Sequence, residues 1–130
     1  MFKVIIAGSR FYNDYQTLSE RCDHLLSETD GPIQIVSGKA QGADRLGERY
    51  AKERGYELAQ FPANWEHLGL SAGRVRNMQM AKYADALIAF PIGKSTGTRH
   101  MITVARAHKL PVKYGVNGRL MDVPATHQMR

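Results

Sequence analysis

The chain has 130 residues, the length of a single domain, and its 43% hydrophobic and 23% charged residues are typical of a globular protein. Its one cysteine, Cys22, excludes an intrachain disulfide, argues against a structural zinc site and favours a reducing, cytoplasmic setting. The net charge of +6 is uneven, because residues 91–130 contain seven Lys and Arg but one acid, Asp122. A phosphate-rich ligand, nucleic acid or solubility alone could each explain that excess.

Five short apolar runs predict β-strands, and the stretches between them predict helices. The runs do not alternate with polar residues, as expected for strands that a parallel sheet buries on both faces. The predicted strands cover residues 2–7, 33–36, 56–61, 86–90 and 111–116.

The four stretches between these runs predict helices, the last two over residues 71–84 and 97–109. Cys22 falls within the apolar spacing of the first helix, so we expect a buried small hydrophobe there and not a nucleophile. Side-chain caps and glycine stops are expected near the helix ends. The expected caps are Asp14, Ser71 and Thr98, and the expected stops are Gly31-Pro32 and Gly55.

Strands that alternate with helices imply a parallel sheet joined by right-handed crossovers. We therefore expect a single Rossmann-like, three-layer α/β/α domain with a five-stranded parallel sheet over residues 1–116, and a C-terminal tail over residues 117–130. In such sheets ligands bind beyond the carboxyl ends of the strands, so the candidate site residues are those that follow each strand.

The loops after the first two predicted strands carry glycines and polar groups suited to an anion. Gly8 permits a tight turn, Ser9 offers a hydroxyl, and the planar guanidinium of Arg10 matches a phosphate. The second loop opens a helix, and free amides at a helix start attract anions. Its candidate residues are Ser37, Gly38, Gly42, Ala43 and Asp44.

Two of the candidate side chains have more than one interpretation. Asp44 is a surface acid that suits the helix dipole, an acceptor for a ribose hydroxyl, or a general base. Trp65, in the long connection after the third strand, either stacks on a base or caps the core. Its neighbour His67 is expected to have a structural or solvent-exposed role.

The loop after the fourth strand is the strongest phosphate cradle in the sequence. It combines glycine, lysine and hydroxyls directly before a helix, at Gly93, Lys94, Ser95, Gly97 and Thr98. On the preceding helix, Arg74 and Arg76 diverge by about 200°, so only one of them is expected to face the ligand. The adjacent Asn77 is a further candidate.

No metal or cofactor is expected, because the five histidines lack ligand spacing and no carboxylate cluster occurs. No apolar run approaches the roughly 18 residues needed to cross a membrane, so no membrane partner is expected. Met78, Met80 and Met101 are candidates for the seam of a homodimer or larger homo-oligomer.

Five of these blocks together resemble the YspA, cpYpsA-related branch of the SLOG superfamily, which also contains the DprA/Smf proteins and the LOG phosphoribohydrolases. The resemblance extends over about residues 2–116. The blocks are Gly8-Ser9-Arg10, Ser37-Gly38 with Gly42-Ala43-Asp44, Pro62-Ala63-Asn64-Trp65, Ala72-Gly73-Arg74 with Arg76-Asn77 and Met80, and Ser95-Thr96-Gly97-Thr98. It implies a Rossmann-like fold, a nucleotide-derived ligand and a role in nucleotide signalling during stress or phage–host conflict.

The resemblance also bears on catalysis. LOG enzymes cleave the N-glycosidic bond of nucleoside monophosphates with a PGGxGTxxE motif and an arginine from an earlier helix. Here Arg76 matches that arginine and Gly97-Thr98 match the GT, but Met101 stands at the glutamate position and cannot transfer a proton. Any hydrolytic acid or base must therefore come from elsewhere, with Asp44 or Glu66 the candidates.

Three functions follow as hypotheses. The first is a sensor or sequestering protein for a nucleoside monophosphate, NAD or an ADP-ribose derivative. The second is an N-glycosidase or phosphoribohydrolase that uses Asp44 and Arg76. The third is DprA-like DNA binding through the basic last 40 residues, although no aromatic residues cluster among those bases to form a single-strand platform.

Overall fold

A computed structural model describes residues 1–115 of the chain. Five strands alternate with helices, as expected from the apolar runs. The strands are β1 Phe2–Gly8, β2 Ile33–Ser37, β3 Glu57–Gln60, β4 Ala86–Phe90 and β5 Val112–Tyr114. The helices are α1 Tyr15–Leu26, α2 Ala43–Arg54, α3 Trp65–Leu68, α4 Ala72–Tyr83 and α5 Thr96–Ala107. The predicted tail over residues 117–130 lies outside the described residues.

The five strands form one parallel sheet in the order β3-β2-β1-β4-β5. Strand β1 lies in the middle, with Phe2 beside Ile33 of β2 and Val4 beside Ala86 of β4. The chain winds outward from β1 to β3, returns to β4 and continues to β5. The direction of winding therefore reverses between β1 and β4, which opens a crevice at their carboxyl ends.

Two separate cores lie on the two faces of the sheet, so the fold has three layers. Alternate residues of β1 point to opposite sides: Val4 and Ile6 pack against α1 and α2, whereas Ile5 and Ala7 pack against α4 and α5. Strands β1, β2 and β4 are largely buried, which confirms the two-faced burial expected from their sequence. The single Rossmann-like α/β/α sandwich is thus confirmed.

Three local predictions need correction. Thr98 does not cap α5, because the helix begins earlier and Ser95 occupies the cap position. Ser71 precedes α4, but its hydroxyl donates to the carbonyl of Leu68 instead of capping. Helix α1 ends at Leu26, so Gly31 belongs to the following turn. Asp14 and Gly55, in contrast, cap α1 and α2 as expected.

The long connection over residues 62–71 contains structure that the sequence pattern did not predict. Helix α3 and the 3₁₀ turn Gly69–Ser71 fill most of it. Strand β3, at the sheet edge, is mostly exposed and not an apolar core strand.

Buried sulfur atoms test two further predictions. Cys22 lies on the buried face of α1, and burial raises the pKa of its thiol to about 12, so it is a hydrophobic core residue. Met80 and Met101 are each 1% exposed, so they cannot form a dimer seam; of the three candidates only Met78 is exposed. No helix within residues 1–115 is long and apolar enough to span a membrane.

Candidate functional site

A cleft of about 740 Å³ opens where the winding of the sheet reverses. Its walls come from the segments that follow β1, β2, β3 and β4, together with the first turns of α2 and α5 and the middle of α4. This volume is in the range of small-molecule sites, and the position is where doubly wound sheets bind ligands.

Two glycines bring the first two loops together at the cleft. A Cβ at Gly8 would lie 2.4 Å from the carbonyl oxygen of Phe90, so β1 can approach β4 there only without a side chain. A Cβ at Gly42 would lie 2.2 Å from the carbonyl oxygen of Ser9, and the φ of Gly42 is +76°. Ala43 then donates its amide to that same Ser9 oxygen at 3.2 Å, which fixes the start of α2 against the first loop.

Asp44 lies in the first turn of α2 and is only 4% exposed, although it lines the cleft. The surface-acid interpretation is therefore wrong. Burial raises the pKa of this carboxyl to about 6, while Arg76 and amide hydrogen bonds, among them the amide of Ala40 at 3.4 Å from Oδ2, favour the charged form and limit the rise. A ligand hydroxyl or a water molecule in the cleft would therefore meet a carboxyl that changes charge near neutral pH.

Arg76 is the arginine of α4 that faces the cleft, and Arg74 is exposed to solvent instead. Nη1 of Arg76 donates to the carbonyl oxygen of Gly38, and Nε of Arg76 donates to Oδ1 of Asn77 at 2.9 Å. A Cβ at Gly38 would lie 2.6 Å from Nη1 of Arg76 and 2.9 Å from Oδ2 of Asp44, so the two charged groups face each other across that glycine. Burial lowers the pKa of Arg76 from its ordinary value, and Asp44 opposes the shift.

Asn77 ties α4 to the start of α5. Its side-chain amide donates to the carbonyl of Gly97 at 3.3 Å and lies 3.1 Å from Nδ1 of His100. Burial, together with the positive charge of Arg74, lowers the pKa of His100, so its neutral form is favoured and Nδ1 can accept that hydrogen bond.

The start of α5 points its partial positive charge at the cleft. The hydroxyl of Ser95 donates back to the carbonyl of Ile92 at 2.8 Å and caps no amide of the helix. Residues 96–98 of the first turn line the cleft, with Lys94 beside them. Amides at such a helix start are suited to bind an anion.

The lining of the cleft carries five basic side chains and one acid, Asp44. The bases are Arg10, Lys39, Arg45, Arg76 and Lys94. Four of the five lie before residue 91, so the excess charge of the last 40 residues is not the charge of the site. Lys39 also has a left-handed φ of 60°, a conformation that few side-chain-bearing residues adopt.

Most of the predicted site residues do line this cleft. They are Gly8, Ser9, Arg10, Asp44, Trp65, Arg76, Asn77, Lys94, Ser95, Gly97 and Thr98. Sequence reasoning missed Phe11, Lys39, Gln41 and Arg45, which also line it. Lys39 and Gln41 lie between two predicted site glycines, and that position was the available signal.

The other five predicted residues do not line the cleft. Ser37 is fully buried, where its hydroxyl donates to Glu48 at 2.7 Å and accepts from the amide of Lys39. Gly93 is an exposed turn residue with a φ of +57°. Gly38 and Gly42 leave room for neighbouring side chains and backbone, and the side chain of Ala43 packs against Gly8.

Two residues of α3 also test predictions. Trp65 lines the cleft and is 59% exposed, so it does not cap the core. Glu66 is exposed and does not line the cleft, so it is not placed to serve as the hydrolytic acid.

Within residues 1–115, no group of three or more His, Cys, Asp or Glu side chains is placed to hold a metal ion.

A β3-β2-β1-β4-β5 parallel sheet with a cationic cleft at its reversal point defines a Rossmann-like α/β protein. Residues 2–67 match the model of the YspA, cpYpsA-related SLOG family, YAcAr. The chain is 35% identical over 118 residues to the gene 61 protein of Mycobacterium phage D29, covering 86% of this chain and 94% of the relative. The chain therefore belongs to this SLOG family.

A solved structure supports the fold independently of that family match. The X-ray structure of TM1055, a structural genomics target, superposes with a TM-score of 0.65 at 20% identity. The match covers 86% of this chain and 72% of TM1055. At that identity the likeness concerns the three-layer α/β fold.

Proposed function

We propose that the cleft binds a nucleotide-derived phosphate ligand and that the protein acts as a sensor or sequestering protein for it. The observation that carries the proposal is the charge of the cleft, where five cations and a helix start surround a single buried acid. A multiply charged phosphate neutralises such a surface, whereas a neutral ligand would leave it uncompensated. Membership of a SLOG family supports a nucleotide-related role in general.

The charges suggest how the ligand is oriented. Phosphate oxygens suit the segment 94–98 and Arg10, which combine cations with the helix start. The carboxylate of Asp44 repels phosphate but accepts from a hydroxyl, so a ribose hydroxyl suits the floor beside it. The family resemblance points to a nucleoside monophosphate, NAD or an ADP-ribose derivative, and a mycobacteriophage relative favours a role in phage–host conflict.

The test is a thermal-shift panel of AMP and other monophosphates, NAD, ADP-ribose and cyclic ADP-ribose, with adenosine as the control that lacks phosphate. A ligand present at 100 times its Kd should add about 2.7 kcal/mol to the free energy of unfolding. We expect a shift with at least one phosphate-bearing ligand and none with adenosine. An equal shift with adenosine, or no shift with any member of the panel, would refute the proposal.

Hydrolysis of the N-glycosidic bond is the second candidate, and the buried Asp44 favours it. A carboxyl whose pKa is about 6 suits a general base near neutral pH. It would take a proton from water as the oxygen bonds to the anomeric carbon, while the carbon–nitrogen bond breaks and its electron pair stays on the base nitrogen. That nitrogen then takes a proton from solvent, and Asp44 returns its proton to solvent. Asp44→Asn should then abolish release of free base, seen by chromatography, while AMP binding persists. Absence of free base with the wild-type protein would exclude this reaction for the panel.

A further inference from the structure

We propose that Phe11 and Trp65 form an aromatic platform on which the base of the bound nucleotide stacks. The inference rests on the proposed function, because it names the part of the ligand that the cationic side of the same cleft does not hold. Both side chains line the cleft, and both are exposed, Phe11 by 78% and Trp65 by 59%.

The outward position of Phe11 is fixed by hydrogen bonds of the preceding turn. The amide of Phe11 donates to Oγ of Ser9 at 3.1 Å, and the amide of Tyr12 donates to the carbonyl of Ser9, also at 3.1 Å. Tyr12 packs inward against Phe90, with ring centroids 5.2 Å apart. Since Tyr12 turns to the core, its neighbour Phe11 is directed to solvent at the rim of the cleft.

The indole of Trp65 rests on α4 beside Arg76, the half-buried cation of the cleft. A Cβ at Gly73 would lie 3.7 Å from Cη2 of Trp65 and 3.8 Å from Nη2 of Arg76, so both groups border this glycine. The short helix that carries Trp65 is capped by Asn64, whose Oδ1 accepts the amide of His67 at 3.3 Å. The tryptophan is thus held in place, with most of its surface free.

Aromatic surface next to cations is the combination that binds a base and its phosphate together. Stacking on an aromatic side chain tolerates any base, because every base has a π-face, while neighbouring Lys and Arg neutralise phosphate. Arg10 supplies such a cation, with its guanidinium carbon 5.7 Å from the ring centroid of Phe11. Other large exposed apolar side chains, such as Leu70 at 98%, do not line the cleft.

The experiment compares AMP with ribose 5-phosphate, which keeps the sugar and phosphate but lacks the base. Trp65 is the only tryptophan of the chain, so intrinsic tryptophan fluorescence reports stacking at this residue alone. We expect AMP to quench that fluorescence saturably, and ribose 5-phosphate to bind more weakly in calorimetry without quenching. Phe11→Ala and Trp65→Ala should each weaken AMP binding at least about fivefold while ribose 5-phosphate binding is unchanged.

Two further variants serve as controls. Trp65→Phe keeps an aromatic face and should retain AMP affinity. Leu70→Ala removes an exposed side chain outside the cleft and should change the affinity for neither AMP nor ribose 5-phosphate. Equal affinities for AMP and ribose 5-phosphate, unaffected by Phe11→Ala and Trp65→Ala, would overturn the platform while leaving the proposed phosphate site standing. Failure of both compounds and of the whole nucleotide panel to bind would reject the site and the platform together.

Discussion

Charged residues occupy two regions of this molecule in opposite ways. On the outer surface of α1 and α2 they are paired: Arg54 contacts Asp23 through Nε at 2.9 Å and Nη2 at 2.8 Å, and Arg49 contacts Glu53 at 3.0 Å. In the cleft, four cations form no ion pair with any carboxylate among residues 1–115. These four are Arg10, Lys39, Arg45 and Lys94.

The carboxyl groups of the two regions differ in the same way. Hydrogen bonds from Arg54 hold the pKa of Asp23 below its ordinary value, and hydrogen bonds from Tyr15 and Arg49 do the same for Glu53. Burial raises the pKa of Asp44 in the cleft instead. The paired region is satisfied by its own side chains, whereas the cleft is electrostatically incomplete, and this contrast is the reason to place the ligand there.

Substitution of Gly42 is expected to have the largest effect on stability, because the loops that build the cleft pack closely at this residue. Gly42→Ala would force a Cβ onto the backbone of Ser9 at a left-handed φ, so the free energy of unfolding should fall by about 3 kcal/mol. Gly97→Ala is the matched control: nothing lies near its Cβ position, and the change should be neutral or stabilising by up to about 1 kcal/mol. Urea unfolding of both variants measures the difference, and equal losses would contradict the packing described.

The pH dependence of stability should have opposite signs in the two regions. The pKa of Asp44 is raised from 3.8 to about 6 in the folded protein. The contribution of Asp44 to the free energy of unfolding is therefore fully present below about pH 4, and about 3 kcal/mol of it is lost as the pH rises through 6. Asp44→Asn should therefore gain stability relative to wild type across that window.

Asp23→Asn is the control for that experiment. Because the pKa of Asp23 is lowered, its stabilising contribution is present above pH 4 and lost as the pH falls. The variant should therefore lose most stability, relative to wild type, at neutral pH. Thermal unfolding between pH 3 and 7 compares the two variants. Differences from wild type that follow pH with the same sign would contradict the contrast between the regions.

Substitution of one arginine in each region should separate the two regions by ligand affinity. Arg76→Ala removes the half-buried cation of the cleft and should weaken the binding of AMP, or of the tightest ligand of the panel, at least about tenfold. Arg54→Ala should leave that affinity unchanged and reduce the free energy of unfolding by about 1 kcal/mol, since its ion pair is partly exposed. Calorimetry and urea unfolding of both variants separate the two roles. A loss of affinity in Arg54→Ala comparable to that in Arg76→Ala would end the distinction.

The smallest effect concerns a single exposed cation. Lys94→Met should weaken the ligand less than about fivefold at low salt, and the difference should disappear near 1 M salt, where the Debye length is about 3 Å. Arg49→Met, which removes a cation already paired with Glu53, should change the affinity at neither salt concentration. A salt-independent loss in Lys94→Met would point to a direct steric contact instead of charge.

The sheet was predictable because its signal is local. The apolar runs of β1, β2 and β4 contain few polar residues, and such runs are stable only when both faces of the strand are covered. That only one of Arg74 and Arg76 faces the cleft likewise follows from the angle between them on a helix, whereas the choice of Arg76 came from the family resemblance. Helix α3 was missed because four residues give no periodicity to recognise.

The remaining site residues depend on tertiary contacts that no local pattern encodes. Phe11 and Tyr12 are adjacent aromatic residues, and only the packing of Tyr12 against Phe90 decides which one reaches the cleft. Arg45 and Arg49 lie one turn apart on the same helix, yet one lines the cleft and the other pairs with Glu53. The net charge of a segment could not separate them, because it counts charges without their partners.

The burial of Cys22 has a practical consequence for studying this protein. A thiol with a pKa of about 12 and no exposed surface is almost entirely protonated at neutral pH and out of reach of maleimide reagents. Since the chain has no other cysteine, Leu70→Cys would place the sole reactive thiol on the exposed turn after the helix that carries Trp65. A dye or spin label attached there could follow events at the cleft in the otherwise native protein, with no need to remove the natural cysteine.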